Sequence, residues 1–237
     1  MNSAYSEHDI TLASFAQIDE EIGTHHFRHD EYAVIRRVIH ATADFEFRQL
    51  LRFSHRPFEA ALSAFAQRQP IITDVSMVAA GIRTVVNRTW RSPISIAVQQ
   101  ANSAPASPLQ GGSQSDSQSG SQAKNTHPPN STGANQTRSA LGMRQSACEH
   151  PGAIVAVGNA PTALLTLCEG IQTGLYAPAL VIGAPVGFIN VTESKQALAD
   201  LDIPHIVVTG RKGGSAVAAA ILNALMINAW NEVARKS

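Results

Sequence analysis

Apolar residues fall along this chain in two alternating rhythms. Short runs rich in β-branched residues, several of them apolar at every position, occur at 71–75, 94–98, 153–157, 179–182 and 205–208. Runs of that length without polar alternation suit strands buried on both faces of a parallel sheet. Between or after them, apolar residues recur at helical spacing over 31–43, 58–67, 139–149, 162–173, 192–201 and 215–233. In the first of these, Tyr32, Ile35, Val38 and Ile39 form one stripe, and Asp30 is placed to cap it. The alternation predicts an α/β fold, with a mainly parallel five-stranded sheet between two layers of helices.

The rhythm stops at 100–136. QANSAPASPLQGGSQSDSQSGSQAKNTHPPNSTGANQ holds one large aliphatic residue, Leu109, and two charges, Asp116 and Lys124. Such a stretch cannot bury enough apolar area to offset its chain entropy, so it reads as a disordered Ser/Gln/Gly-rich insertion. It divides a single domain into 1–99 and 137–237. The longest apolar tract, 216–230, is about fifteen residues and is interrupted by Asn223 and Asn228, which reads as too short for a bilayer. The stretch from Met1 to Phe15 contains Glu7, His8 and Asp9, with neither a basic start nor an apolar run, so it does not read as a signal peptide.

Charge narrows the function classes. Eighteen basic residues balance eighteen acidic ones, so no electrostatic argument for nucleic acid arises. Hydrophobic residues at 44% are enough for one good-sized core, and no membrane association is expected. Two cysteines, Cys148 and Cys168, cannot build a disulfide framework or a four-cysteine zinc site, which fits a reduced, cytoplasmic setting.

In an open parallel sheet, ligands bind beyond the C-terminal ends of the strands. Three predicted strands run into small-residue turns there: Gly158-Asn159-Ala160-Pro161-Thr162, Gly183-Ala184-Pro185-Val186-Gly187 and Thr209-Gly210-Arg211-Lys212-Gly213-Gly214-Ser215. Each leads towards a helix, where free backbone N–H groups can receive an anion. Any one of them alone is ordinary turn chemistry. Neither nucleotide fingerprint is met: no G-x-G-x-x-G follows the first strand, and Gly210-Arg211-Lys212-Gly213-Gly214-Ser215 has the wrong order for a P-loop. A large anionic ligand laid across several strand ends fits better.

Among titratable residues, Arg37 and His40 stand three apart and share a helix face, and Asp44 lies four beyond His40, in range to pair with it if the helix continues. A histidine beside an arginine can act as acid or base near neutral pH while the arginine holds a carboxylate. The plainer reading makes His40 a helix-end residue bonded to backbone. His25, His26 and His29 lack a completing partner for a metal and read as a solvated loop. Asp74, at a strand end, is either a hydrogen-bonding residue or a turn cap.

Six motifs, in order, resemble one family: Arg37-Val38-Ile39-His40-Ala41-Thr42-Ala43-Asp44-Phe45; Ile72-Thr73-Asp74-Val75-Ser76-Met77; Thr137-Arg138-Ser139-Ala140; Gly158-Asn159-Ala160-Pro161-Thr162; Gly183-Ala184-Pro185-Val186-Gly187-Phe188 with Glu193-Ser194-Lys195; and Gly210-Arg211-Lys212-Gly213-Gly214-Ser215. Together they are similar to the precorrin-8X methylmutases of corrin biosynthesis, across nearly all of the chain outside 100–136. The resemblance implies a flavodoxin-like three-layer sandwich and a homodimer with no separate cofactor or metal. It implies an isomerase that moves a methyl group from C-11 to C-12 of precorrin-8X or cobalt-precorrin-8.

It also implies His40 as the proton donor to the macrocycle. Ser14 and Arg37 would be substrate contacts, with Thr137 and Arg138 facing the site. The turns at Gly158, Asn159, Gly183, Gly187, Arg211 and Gly213, with Lys212, would make a rim for a flat, carboxylate-fringed ring. Two features depart from the family pattern: the long insertion, and Ser76 where an acidic residue is common. A non-catalytic tetrapyrrole carrier on the same fold is the competing reading, and a nucleotide-binding flavodoxin-like domain is discouraged by the missing fingerprints.

Overall fold

The computed structural model describes residues 4–54, 56–101 and 137–236. The reading of 100–136 as disordered falls outside them, apart from Gln100 and Ala101. In chain order the elements are α1 (Asp9–Ile22), α2 (His29–Thr42), α3 (Phe47–Leu50), β1 (Leu51–Phe53), α4 (Pro57–Ala66), β2 (Ile71–Thr73), α5 (Ser76–Arg88), β3 (Ile94–Ile96) and α6 (Ala97–Gln100). From residue 138 onward come α7 (Arg138–Glu149), β4 (Ile154–Val157), α8 (Pro161–Gln172), β5 (Leu180–Gly183), α9 (Val191–Ala199), β6 (His205–Val208) and α10 (Ser215–Lys236).

The sheet has the order β1-β6-β5-β4-β2-β3. All five expected strands are present and mutually parallel, and a sixth, β1, joins the edge antiparallel to β6 with Leu51 opposite Val208. β1 was not legible because Leu51-Arg52-Phe53 is three residues long and carries a charge in its centre. α1 and α5 were also unread. In α5 the buried positions Val78, Ala79, Ile82, Val85 and Val86 do follow helical spacing, so that signal was available.

Strand side chains alternate between two cores, as a pleated sheet demands. Ile154, Ala156, Leu180, Ile182, Ile206 and Val208 face a core shared with α2, α4, α5 and α10, while Val155, Val157, Val181 and Val207 face one shared with α7, α8 and α9. The central α10 is 22 residues and, by length and composition alone, apolar enough to cross a membrane, in contrast to the expectation from the shorter tract 216–230. Most of its apolar side chains, from Val217 to Ala229, are buried in the first core, packed against α2, α4 and α5. Trp90 anchors it by donating to the carbonyl of Met226 at 3.0 Å.

The entry to α2 differs from expectation. Arg28 precedes the first turn and its N–H donates to the Glu31 carboxylate at 3.1 Å, so Asp30 lies inside the turn instead of capping it. The helix stops at Thr42 because Ala43 takes a left-handed conformation (φ 53°), with its N–H bonded to the carbonyl of Ile39.

Candidate active site

Since β2 to β6 are parallel, their C-terminal ends share one edge of the sheet. Asp74, one residue past β2, is fully buried there. Its carboxylate accepts the backbone N–H groups of Gly158 at 3.0 Å, Asn159 at 2.7 Å and Ala160 at 2.8 Å. The expectation that Gly158 and Asn159 offer free N–H groups to a ligand is therefore corrected: an internal anion already occupies that turn. Burial pushes the Asp74 carboxyl up from its ordinary value, and the three donors and its own neighbour's N–H pull against that rise. Gly158 is required by packing, because a Cβ there would lie 2.8 Å from a Val78 methyl and 2.9 Å from Cα of Ser215. Gly183 likewise is corrected from rim to interior: it is buried at the end of β5, where a Cβ would meet Leu198 of α9 at 2.5 Å.

The turns after β5 and β6 lock together. Gly213 (φ 157°) lies so close to the carbonyls of Ala184 and Pro185 that no Cβ fits, Gly214 donates to Ala184 at 2.8 Å, and Gly187 donates to the carbonyl of Arg211 at 3.4 Å. Val186, Phe188 and Ile189 are exposed on this rim, Phe188 by 83%, and the Arg211 guanidinium lies 5.6 Å from the centre of the Phe188 ring.

From beneath, the buried Lys195 of α9 donates to the carbonyls of Gly210 and Lys212, both at 2.7 Å. Burial lowers its pKa from 10.5 to about 8. Between those values the unfolded chain binds more protons than the folded one, so this group makes stability rise with pH across the window. Thermal melts of wild type and Lys195→Met should therefore diverge in the wild type's favour as pH climbs from about 8 to 10.5. A constant gap would contradict the burial.

Lys212 points the other way. Its Nζ lies 2.6 Å from Asp44 Oδ2 and 2.6 Å from Glu46 Oε2, tying the β6–α10 turn to the chain leaving α2. The expected Asp44–His40 pair is thus corrected, because the helix ends before Asp44. The bond from Lys212, then the N–H of Glu46, hold the Asp44 carboxyl below its usual range. His40 itself is exposed in the last turn of α2, its ring edge-on to Phe15 at 5.4 Å between centroids.

His40 lines a cleft of about 610 Å³ with Ser14, Ile10, Ile18, Ile39 and Phe45. Ser14 donates to the carbonyl of Ile10 at 2.8 Å. Six of its ten lining residues come from α1, whose local signal in the sequence is the spacing of Phe15, Ile18 and Ile22. Arg37 does not line the cleft. It shares with His40 the side of α2 that meets Phe15, largely buried, ion-paired with Glu7 and 5.4 Å from the Phe15 ring centre.

Further along the edge, Thr137 caps α7 by accepting the Ala140 N–H at 3.2 Å, and its hydroxyl lies 2.8 Å from that of Thr162 at the start of α8. Arg138 follows as the first residue of α7, exposed. His25 stacks on Tyr32 at 4.0 Å, and His29 opens α2.

The model of the precorrin-8X methylmutase family matches residues 9–130 and 121–228 of this chain. The chain belongs to that family. A cobalt-precorrin-8 methylmutase of Synechocystis sp. (strain ATCC 27184 / PCC 6803 / Kazusa) is 42% identical, covering 95% of this chain and 98% of the relative. A precorrin-8X methylmutase of Pseudomonas aeruginosa is 34% identical over 91% of this chain and 93% of its own. The solved precorrin-8X methylmutase of Thermus thermophilus superposes with a TM-score of 0.75 at 36% identity, covering 94% of this chain and 98% of that one.

Within this methylmutase fold, the edge has a definite order. The turns after β6, β5 and β4 follow one another, as their strands do, with Thr137 and Arg138 beside the last. The His40 cleft joins at the β6 end through Lys212. The structure thus brings His40 and Ser14 into one cleft and Gly187, Arg211 and Gly213 into one rim. Arg37, Gly158, Asn159 and Gly183 are engaged elsewhere.

Proposed function

We propose that His40 is the proton donor of this methylmutase, and that its macrocyclic substrate lies from the His40 cleft along the exposed rim formed by the turns after β5 and β6. As a family member, the chain is an isomerase of cobalamin biosynthesis. It moves a methyl group from C-11 to C-12 of precorrin-8X or cobalt-precorrin-8, giving hydrogenobyrinate or cobyrinate. The bond to C-11 breaks as the bond to C-12 forms within one molecule. No electrons leave, and the chemistry asks for geometry and one proton.

The observation that carries this reading is an exposed imidazole in a mostly apolar cleft at the end of the ligand-binding edge of the sheet. Phe188, Ile189 and Val186 supply apolar area for a flat ring, and Arg211 a cation for its carboxylate arms. Ser14, Thr137 and Arg138 belong to the same proposal as polar contacts, and Arg37 contributes only if a substrate carboxylate displaces Glu7. A homodimer, as the family resemblance implies, completes the proposal.

Relatives named for the cobalt-bound and for the metal-free substrate both match over most of the chain. Incubating the purified protein with each precursor and following the absorbance of the ring tests the reaction and its substrate together. Conversion of at least one is expected. Binding of both without conversion would favour the carrier reading.

A further inference from the structure

Two lysines hold the turn between β6 and α10, one from beneath and one through the chain that leaves the His40 helix. Lys195 reaches up from α9 and fixes the β6–α10 turn through two of its carbonyls, at 2.7 Å each. From the same turn Lys212 reaches outward and is gripped by Asp44 and Glu46, at 2.6 Å each. Those two acids flank Phe45, which together with Ala43 lines the His40 cleft. Ala43 ends α2 in a left-handed turn, and past it residues 44–46 are held by short-range bonds: the Asp44 N–H to the Thr42 hydroxyl at 3.3 Å, the Glu46 N–H to the Asp44 carboxylate at 2.9 Å, and the bonds from residues 47–49 that lead into α3. The fork of Lys212 ties this wall of the cleft to the far side of the turn, beyond the two bonds, at 2.9 and 3.0 Å, by which Thr209 at the turn's start holds the Leu50 carbonyl.

We infer that Lys212 is a positioning residue for the rearrangement: by gripping Asp44 and Glu46 it sets the separation between the His40 imidazole and the rim. This rests on the proposed placement of the ring across both. The inference reverses the role that the sequence alone suggests for Lys212. Instead of meeting a substrate carboxylate, its ammonium is spent on two protein carboxylates, and Arg211 is left to face the ligand. Lys195 keeps the turn from following when Lys212 is pulled. A misplacement of about 1 Å between reacting groups costs up to about 100-fold in rate, so a weak surface tie can carry a large kinetic effect. Lys212 is 45% exposed in its side chain, and its two pairs contribute little to folding.

The test compares wild type, Lys212→Met, Lys212→Arg and the double variant Asp44→Asn/Glu46→Gln in turnover of whichever precursor the wild type converts. Lys212→Met should melt within about 2 °C of wild type and lose about 10-fold or more in kcat, with KM changed less than about threefold. Lys212→Arg should recover most of the rate. The double variant should show the same loss as Lys212→Met, and combining all three changes should add nothing further, because one contact has been removed twice. Rising salt should lower wild-type kcat towards that of Lys212→Met and leave the variant unaffected. A folded Lys212→Met with wild-type kcat would overturn the inference. So would a raised KM at unchanged kcat, the mark of a direct substrate contact. Failure of the wild type itself to convert either precursor would instead overturn the functional reading.

Discussion

His40→Ala should lose methyl migration almost entirely while folding and binding the ring as before. General acid catalysis by a placed side chain contributes about 10² to 10⁴ in rate, or roughly 3 to 5 kcal/mol of barrier, and kcat should fall by that much. The side chain is exposed, and its ring meets Phe15 only edge-on, so its removal leaves no buried cavity and the melting point should stay within a few degrees, about 2 °C. Titration of the reaction product, followed by absorbance, should give a dissociation constant within about fivefold of wild type. Surviving turnover would place the proton donor elsewhere. Loss of binding together with turnover would make His40 a contact for the ring and not its acid.

Asp74→Ala should produce the largest loss of stability among single changes at the candidate site. The carboxylate is completely buried and satisfies three consecutive N–H groups where β4 turns into α8. Removing it strands those donors away from water, each at about 1 to 3 kcal/mol, and opens a cavity beside them. Partial relaxation of the turn leaves an expected total of about 3 to 5 kcal/mol. For a domain of this size that lowers the melting point by about 10 °C, measurable by circular dichroism. Asp74→Asn should lie between, since an amide offers one accepting oxygen and turns its own N–H groups on the remaining donors. A shift under about 2 °C for Asp74→Ala would contradict an internal anion as the support of this turn.

The contrast between these two residues bears on what the sequence could reveal. The β-branched runs were legible because strands buried on both faces are apolar throughout, and all five strands lie within those runs, although Ala97 and Val98 belong to α6 instead of β3. β1 escaped because its hydrogen bonds to β6 come from chain distant in sequence, and Arg52 breaks its apolar run. The glycine turns were visible as turns, but their purpose was not. Gly158 and Gly183 exist to let α10 and α9 approach, a requirement set by residues 57 to 60 and 15 positions away, which local spacing does not encode.

Charges were the least legible feature. Arg37 and Lys212 look like cations awaiting an anionic ligand, yet Glu7 and the pair Asp44 and Glu46 reach them through the tertiary fold. His40 and Ser14 meet in a cleft only because α1 folds across the end of α2; Phe15, Ile18 and Ile22 give α1 a helical stripe, but local spacing does not say which helix it crosses. The family resemblance supplied that pairing, where periodicity did not.

The most direct test is a crystal structure of the protein with its reaction product bound. The ring should lie across the turns after β5 and β6, with an imidazole nitrogen of His40 in contact with it near the carbons that exchange the methyl group, and Arg211 on a carboxylate arm. A ring seated instead in the other groove of about 610 Å³, lined by Arg52, Arg56 and His205 between β1 and the end of α9, would contradict the account.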